Sequence, residues 1–384
     1  MQEFFEFSLG ARVLYQIGLA GELGQVISSS FPQRRAFIVA DKGVVQAGLL
    51  DPIQAGLAPI EVVGMFDDVP ANSSVAKVAE GAEQAQAADA DLIIAVGGGS
   101  PIDTAKGIRI LLTLGGSIPD YEGYNVIDTP LTPLVAIPTT AGTGSEVTPI
   151  AVILDEESQR KISIVSRYLT PTLAILDPLM TRTLPPRLTA ATGMDALSHA
   201  IETYVSTENN PLSDSLALAA IDMIATHLRD AVHDGENIEA RSQLLIAATM
   251  AGIACGNSLF GVVHALSHAV GGKFPVHHGT ANAIFLPPAM RFNSEVVPDR
   301  YVRIARAMGV NVGGRSNAEV IADGIAAVRT LTADCGLPTK LREVGVPREA
   351  LPELAELAAV EPAIFNNPRP APPAELLAML EEVW

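Results

Sequence analysis

Cysteine and basic residues are scarce in this sequence. Only two cysteines occur, Cys255 and Cys335, which is too few for a disulfide framework or a thiolate metal site. Lysine and arginine number 25 against 43 aspartates and glutamates, a formal net charge of −18. That charge repels phosphate backbones, and no basic cluster interrupts it, so we expect no nucleic-acid or anionic-membrane partner. Any metal must be held by histidine and carboxylate ligands.

Long apolar runs are also missing. No run approaches the roughly 18 residues of a membrane span. The first residues, Met1–Phe7, are acidic where a signal peptide needs positive charge. We therefore expect a cytoplasmic protein without membrane association. The 384 residues, of which 48% are hydrophobic, exceed the size that one core usually supports, so the sequence predicts two domains.

The character of the sequence changes near Pro185-Pro186. Before about residue 180, short aliphatic runs alternate with helix-like stretches; the runs are residues 36–40, 91–96, 134–137 and 173–176. Such alternation is typical of a parallel sheet covered by helices. Later segments are rich in alanine and leucine at helical spacing. The sequence thus predicts an α/β domain with a parallel sheet over residues 1–184 and an all-α domain over residues 185–384.

A glycine-rich turn, Gly97-Gly98-Gly99-Ser100, follows one predicted strand. We expect Ser100 to cap a helix whose first residue is Pro101. Glycines allow close approach of the backbone to an anion, and the helix N-terminus carries partial positive charge, so a phosphate or pyrophosphate is the natural occupant. A tight turn without a ligand is the alternative for this motif taken alone.

A second loop of small and hydroxylic residues, Pro138 to Glu146, follows another predicted strand. Two such loops at the carboxyl ends of strands in one sheet favour a ligand site. Asp41 ends the run 36–40, where its carboxylate can bind a ribose diol and repel a 2′-phosphate, which favours NAD over NADP. In the standard fingerprint the acidic residue follows the glycines, whereas Asp41 precedes them, so this dinucleotide fold would be a variant.

All seven histidines fall between positions 199 and 278. Asp195 and His199 are four residues apart. His264 and His268 repeat that spacing, so each pair shares one helix face and can converge on a cation. His277-His278 adds donors from a predicted loop. These six donors exceed the four of a tetrahedral site, so at least one acts elsewhere. The donors suit Fe(II), Zn(II), Mn(II) or Co(II), and softness does not separate these metals.

Four segments resemble signatures of the iron-containing (group III) alcohol dehydrogenases, with the lactaldehyde reductase and propanediol dehydrogenase branch nearest. They are residues 97–103, 138–146, 191–202 and 277–282. The resemblance covers essentially the whole chain in order. It implies a dehydroquinate synthase-like fold, with an N-terminal dinucleotide-binding domain, a helical C-terminal domain and a divalent metal in the cleft between them. It also implies a homodimer.

The resemblance assigns roles to individual residues. It implies four metal ligands, which are Asp195, His199, His264 and His278. It places His268 near the nicotinamide and the substrate, as the catalytic residue. The cofactor positions that it implies are Asp41, Asn72, Gly97, Gly98, Gly99, Ser100, Thr139, Thr140, Thr143 and Lys161.

These features fit one reaction. A divalent metal acts as a Lewis acid on the alcohol oxygen, and a nicotinamide accepts hydride. An uncoordinated His268 relays the hydroxyl proton to water. We therefore expect an NAD-dependent enzyme that interconverts a small primary alcohol or diol and its aldehyde, with Fe(II) favoured over Zn(II) as the metal.

Alternative functions remain open at this point. A hydroxyacid or semialdehyde dehydrogenase of the same family needs a cation for the substrate carboxylate, and only Arg369 offers one near the expected pocket. A lyase of the dehydroquinate synthase type also holds NAD and zinc, but its ligand set differs and the Asp195/His199 pair disfavours it. A metal-dependent hydrolase leaves Asp41 without a role.

Overall fold

The computed structural model describes residues 4–158 and 160–384, which divide into an α/β unit and a helical unit. The α/β unit comprises Ser8–Thr140 and Gly144–Leu184. The helical unit comprises Pro185–Trp384, Ala141–Thr143 and residues 4–7. The predicted fold class, an α/β domain with a parallel sheet followed by an all-α region, is confirmed.

The described part of the α/β unit contains two sheets. The strands are β1 (Arg12–Tyr15), β2 (Arg35–Val39), β3 (Glu61–Phe66), β4 (Leu92–Gly97), β5 (Gly123–Tyr124), β6 (Leu134–Pro138), β7 (Ile150–Asp155), β8 (Arg160–Val165) and β9 (Leu173–Leu176). Six of them form a parallel sheet in the order β1-β9-β6-β4-β2-β3. The small sheet has the order β5-β8-β7, and β7 pairs with β8 in antiparallel orientation.

Helices make up the rest of the regular structure. Those of the α/β unit are α1 (Leu23–Ser30), α2 (Lys42–Gln46), α3 (Leu50–Ala55), α4 (Val75–Ala87) and α5 (Gly99–Leu114). Those of the helical unit are α6 (Pro186–Val205), α7 (Pro211–His233), α8 (Ile238–Ser258), α9 (Val262–Lys273), α10 (His278–Ser294), α11 (Pro298–Ala307), α12 (Asn317–Asp334), α13 (Leu351–Ala359) and α14 (Pro373–Glu382). Short 3-10 segments are Leu19–Glu22, Ile118–Tyr121, Arg167–Leu169, Pro178–Thr181, Leu341–Val344, Arg348–Ala350 and Pro362–Asn366.

The central strands of the parallel sheet are buried on both faces. Every residue of β4 and β6 is buried. Ile93 and Ala95 belong to one apolar cluster, and Ile94 and Val96 belong to another. Because successive side chains of a strand point to opposite faces, this division shows an apolar layer on each side of the sheet. The continuous aliphatic runs in the sequence reflect that double burial.

Two local predictions are wrong. Helix α5 begins at Gly99 with Gly98 as its N-cap, so Ser100 is not the cap. The Ser100 hydroxyl instead donates a hydrogen bond to the carbonyl of Ala71 at 2.7 Å. His277-His278 is not a loop pair either, because His278 is the first residue of α10 and His277 is its N-cap.

Helix α6 forms the interior of the helical unit. All its residues from Thr189 to Val205 are buried, because α7, α8 and α10 pack around it. Polar side chains on such a helix need partners within the protein. Among the described residues, no single helix is both long and apolar enough to cross a membrane. Helices α8 and α9 reach those limits together, but they are bent by 100° at their junction.

Gly279 allows α10 to approach α6 closely. A Cβ atom built at Gly279 would lie 2.1 Å from the carbonyl oxygen of Ala191 on α6. That distance is impossible for a real carbon, and a helix carbonyl cannot move without displacing its helix. Glycine at this position therefore determines where His278, one residue earlier, can lie relative to α6.

We predict that Gly279→Ala lowers the free energy of unfolding by about 1–3 kcal/mol, because the added methyl group forces α10 away from α6. Gly271→Ala on α9 is the matched control, since a Cβ atom there meets nothing within 4 Å. The control should gain about 0.5–1 kcal/mol from its better helix propensity. Urea unfolding of both variants beside the parent measures the difference, and equal effects of the two substitutions would contradict the packing argument.

Candidate active site

Four neighbouring strands of the parallel sheet end at residues expected to bind the cofactor. Asp41 follows β2, Asn72 lies in the loop after β3, the turn Gly97–Ser100 follows β4, and Thr139-Thr140 follows β6. Because these strands are adjacent and parallel, their carboxyl ends meet at one edge of the sheet. Ligands of open α/β sheets bind at such edges.

The glycine turn presents backbone to this edge. Gly97 has φ +154°, and a Cβ atom there would lie 2.4 Å from the Pro101 ring. The amide of Thr139 donates to the carbonyl of Gly97 at 3.0 Å, which joins the two loops. Gly98 as N-cap supplies no side-chain acceptor to α5. The first amides of α5 are thus uncapped by a side chain, which suits a pyrophosphate group.

Asp41 has one carboxylate oxygen engaged in local structure. Its Oδ1 accepts a hydrogen bond from the amide of Val44 at 2.9 Å and caps α2. Among the described residues, none donates to Oδ2. That oxygen can accept a hydrogen bond from a ribose hydroxyl.

Two expected cofactor residues, Lys161 and Thr143, do not follow strands of the parallel sheet directly. Lys161 is on β8 of the small sheet and pairs with Leu154, whose amide donates to the carbonyl of Ser73 at 2.7 Å. Lys161 is therefore one strand from the loop that carries Asn72. Thr143 belongs to the segment Ala141–Thr143, which is grouped with the helical unit.

Lys106, which was not among the expected site residues, supports the two loops from within the α/β unit. It is fully buried on α5, and its Nζ donates to Ser145 Oγ at 2.9 Å, Thr148 Oγ1 at 3.2 Å and the Ile150 carbonyl at 2.6 Å. Burial lowers the pKa of Lys106 to about 8, against the opposing charge of Asp103. Lys106 thus links α5, which follows the glycine turn, to the end of the loop Pro138 to Glu146 and to the residues just after it.

Helices α6, α9 and α10 bring the expected metal ligands close together in the helical unit. Candidate ligand atoms of Asp195, His199 and His264 all lie within 4.8 Å of one another. Asp195 Oδ1 is 3.7 Å from His199 Nε2 and 3.6 Å from His278 Nε2. Two donors that share a tetrahedral cation at about 2.1 Å are about 3.4 Å apart. The observed spacings are close to that value.

The charge and hydrogen bonding of this cluster also fit a cation. Asp195 and Glu202 are buried, and no described lysine or arginine nitrogen lies within 4.0 Å of either carboxylate. Burial raises the pKa of Glu202 to about 8, against the hydrogen bonds from backbone amides that lower it. The buried Nδ1 of His199 has no hydrogen-bond partner in the part of the chain that the structure describes. Buried carboxylates without compensating charge are costly, and a divalent cation supplies that charge.

Two residues that the sequence analysis gave no role contact the expected ligands. Glu202 Oε2 lies within hydrogen-bond distance of His264 Nδ1, at 2.5 Å. Asn282, which is fully buried, donates from Nδ2 to Asp195 Oδ1 at 2.7 Å and lies 3.2 Å from His278 Nε2. Helical spacing could have found both, since Glu202 is one turn beyond His199 and Asn282 is one turn beyond His278.

His268 lies beside the cluster and is held by a different carboxylate. Its Nδ1 is 2.7 Å from Glu361 Oε1, and Glu361 Oε2 accepts from the amide of Ala363 at 2.6 Å. The ring of His268 stacks on that of His278, with centroids 5.2 Å apart. No sequence signal links Glu361 to His268, because 93 positions separate them.

Phe260 forms an apolar wall of the cluster. Its ring stacks on His264 at 4.1 Å and is tilted against His199 at 5.2 Å, between centroids. The preceding Leu259 has φ +60°, a left-handed conformation that costs about 1–3 kcal/mol for a residue other than glycine. The backbone is therefore strained at Leu259, in the junction between α8 and α9. The next residue, Phe260, contacts His199 and His264.

Comparison with known proteins is consistent over the whole chain. Residues 10–178 match the family described as iron-containing alcohol dehydrogenase, and residues 189–384 match the C-terminal family of Fe-containing alcohol dehydrogenases. A 1,3-propanediol dehydrogenase from Klebsiella pneumoniae is 39% identical over 372 residues, which cover 96% of this chain and 95% of that protein. A lactaldehyde reductase from Escherichia coli (strain K12) is 38% identical over 358 residues, covering 91% and 92%.

A solved structure of a 1,3-propanediol oxidoreductase has a TM-score of 0.96 and 36% sequence identity, and the match covers 100% of both chains. This structural similarity covers the α/β unit, the helical unit and the chain segment that connects them. The protein therefore belongs to the iron-containing alcohol dehydrogenase family, as an oxidoreductase that uses NAD and a divalent metal to interconvert alcohols and aldehydes.

Proposed function

We propose that this enzyme interconverts a short, uncharged primary alcohol or diol and the corresponding aldehyde. In this proposal residues 1–184 form the dinucleotide-binding domain, and residues 185–384 form the metal-binding domain. The observation that carries it is the buried cluster of Asp195, His199 and His264, together with a separately held histidine beside it.

We assign the metal to Asp195, His199, His264 and His278. Three neutral imidazoles and one carboxylate suit Fe(II), with Zn(II) as the second choice. When bound, the metal provides Lewis-acid activation of the substrate oxygen. Asn282 orients the Asp195 carboxylate through the 2.7 Å hydrogen bond, and the Phe260 ring excludes water from one side of the cluster.

We assign the proton transfer to His268. Its Nδ1 faces the Glu361 carboxylate at 2.7 Å, so the imidazole is held in one orientation and its Nε2 is left to exchange a proton with the substrate hydroxyl. A positioned imidazole is the usual group for this transfer.

We assign NAD to the carboxyl edge of the parallel sheet. Asp41 binds the adenosine ribose, the turn Gly97–Ser100 and Thr139-Thr140 bind the pyrophosphate, and Asn72 lies at the same edge. The assignments of Thr143 and Lys161 rest on family resemblance.

The preference for an uncharged substrate rests on the surroundings of the metal cluster. Phe260 presents an apolar ring, and Arg369 is already engaged, since its guanidinium contacts Glu295 at 2.8 Å and lies 3.9 Å above the Phe292 ring. A substrate carboxylate buried without a cationic partner costs several kcal/mol.

The exposed edge of the parallel sheet supports a homodimer. β1 is an edge strand that pairs with β9, and Leu9, Tyr15 and Ile17 around it are 58%, 45% and 53% exposed. An edge strand with exposed apolar side chains is a template for pairing with another chain, and a second copy is the occupant that we propose. Cys255 and Cys335 are both buried and are not joined in a disulfide, which agrees with a cytoplasmic location. The net charge of −18 disfavours nucleic-acid and anionic-membrane partners.

The ligand assignment predicts different outcomes for two histidines on α9. His264→Ala should purify with much less metal, because a buried donor is lost. His268→Ala should retain the metal and lose turnover by about 10²–10⁴-fold, because only proton transfer is removed. Metal analysis and steady-state kinetics on both proteins check this, with circular dichroism as the folding control. Equal metal loss in the two variants would show that His268 is also a ligand.

Cofactor selectivity should depend on Asp41. In Asp41→Ser the hydroxyl still caps α2, but the carboxylate that repels a 2′-phosphate is gone. We expect the ratio of kcat/KM for NADP to that for NAD to rise about 10–100-fold. Asp51→Ser, which removes an exposed carboxylate on α3, should leave the ratio unchanged. A parent enzyme that already prefers NADPH to NADH would refute the assignment.

The substrate preference predicts an order among aldehydes. At fixed NADH, propanal and lactaldehyde should have kcat/KM values at least about 10-fold above that of succinic semialdehyde, because the charged substrate loses hydration without gaining a cation. If succinic semialdehyde were the best of the three, the enzyme would be a semialdehyde dehydrogenase, and Arg369→Met would then test whether that arginine binds the carboxylate.

A further inference from the structure

We infer that Glu202 is a positioning residue for the metal centre, whose carboxylate joins the two helices α6 and α9 and holds His264 with Nε2 directed at Asp195 and His199. The inference rests on the ligand set proposed above. It predicts that Glu202 controls how long the metal is retained, although Glu202 is not itself one of the assigned ligands.

The position of Glu202 on α6 is the first argument. Asp195, His199 and Glu202 follow one another at intervals of four and three residues, so they lie on one face of the helix. One helix therefore supplies two ligands directly and contacts a third ligand, His264, through a carboxylate.

The N-terminus of α9 is the second argument. Its N-cap, Gly261, provides no side-chain hydrogen bond, which leaves the first amides of the helix in need of acceptors. Glu202 Oε1 accepts from the amide of Val263 at 2.6 Å, and Oε2 accepts from the amide of His264 at 3.3 Å. A Cβ atom at Gly261 would lie 3.0 Å from Glu202 Oε1, so little room remains for a larger residue. Glu202 caps α9 from a different helix.

The imidazole of His264 is the third argument. His264 Nδ1 lies 2.5 Å from Glu202 Oε2. An ionised carboxylate can only accept hydrogen bonds, so beside an ionised Glu202 the hydrogen of the neutral ring is on Nδ1 and the lone pair is on Nε2. That is the tautomer in which Nε2 can bind a metal, and a carboxylate behind a ligand histidine also makes it a stronger donor. Glu202 is only 3% exposed, so bulk water cannot easily replace it.

The test is the rate of metal loss from Glu202→Gln in the full-length protein. Parent and variant are loaded with Co(II) or Fe(II), mixed with excess chelator, and followed by metal analysis after separation. Glutamine has the size of glutamate, but its NH2 group cannot accept hydrogen bonds. The variant therefore loses either the bond from the Val263 amide at the Oε1 position or the contacts with the amide and ring of His264 at the Oε2 position. We expect metal loss to be about 10–100-fold faster, and the visible absorption spectrum of the Co(II) form to change.

Glu361→Gln is the matched control. It makes the same substitution in a second glutamate–histidine pair of this unit, which is partly buried and whose histidine, His268, is not an assigned ligand. This variant should lose metal at the parent rate. Metal-free unfolding of both variants, followed by circular dichroism, separates weaker metal binding from lower stability of the fold.

The outcomes distinguish the inference from the ligand assignment. If Glu202→Gln loses metal at the parent rate while His264→Ala loses it readily, the ligand set stands and the role of Glu202 is wrong. If His264→Ala also retains metal, the ligand set is wrong, and this inference fails with it. If Glu202→Gln does not fold, Glu202→Asp is measured instead. Its side chain is one methylene shorter and cannot reach both partners. Metal loss from Glu202→Asp at the parent rate would therefore also refute the positioning role of Glu202.

Discussion

The helical unit depends on one electrostatic constraint: two carboxylates on α6 are buried, and no lysine or arginine of the described residues pairs with either of them. Asp195 and Glu202 lie on a helix that three other helices enclose, and charge in such a place must be compensated. The compensation comes from imidazoles, backbone amides and the Asn282 side chain rather than from a salt bridge. An arrangement of this kind is complete when a cation joins it, which explains why a costly set of polar groups lies in the core.

The α/β unit is expected to bind a different kind of ligand through different chemical groups. Its expected ligand is a dinucleotide, and the groups that we propose to bind it are mainly backbone amides at the ends of parallel strands. The side chains of Lys106 and Asp103 hold the loop backbone in place. Lys106 and Asp103 anchor the segment Ser145–Val152, since Lys106 donates to Ser145 and Ile150, and Asp103 accepts from Ser145 at 2.6 Å and from the amide of Val152 at 3.0 Å.

The elements that the sequence predicts correctly are those with a strong local pattern of residues. The central strands β4 and β6 were predictable because double burial requires continuous aliphatic runs. β3 was missed, because it is an edge strand whose sequence mixes Glu61 and Gly64 with apolar residues. The cap of α5 was misplaced, because Ser100 is a good N-cap by type but its hydroxyl bonds to the neighbouring Ala71 loop. A tertiary contact overrode a local preference.

The sequence by itself determined the parallel-sheet and helical halves, the glycine-rich turn after β4 and the pairs of polar side chains at helical spacing, because each is encoded within a few consecutive turns or strands. Family resemblance added the division of the histidines into ligands and a catalytic residue. Only the tertiary structure decided which carboxylate holds which histidine. Glu202 reaches His264 across 62 positions, and Glu361 reaches His268 across 93. Such pairings arise from the packing of whole helices, which no local spacing records.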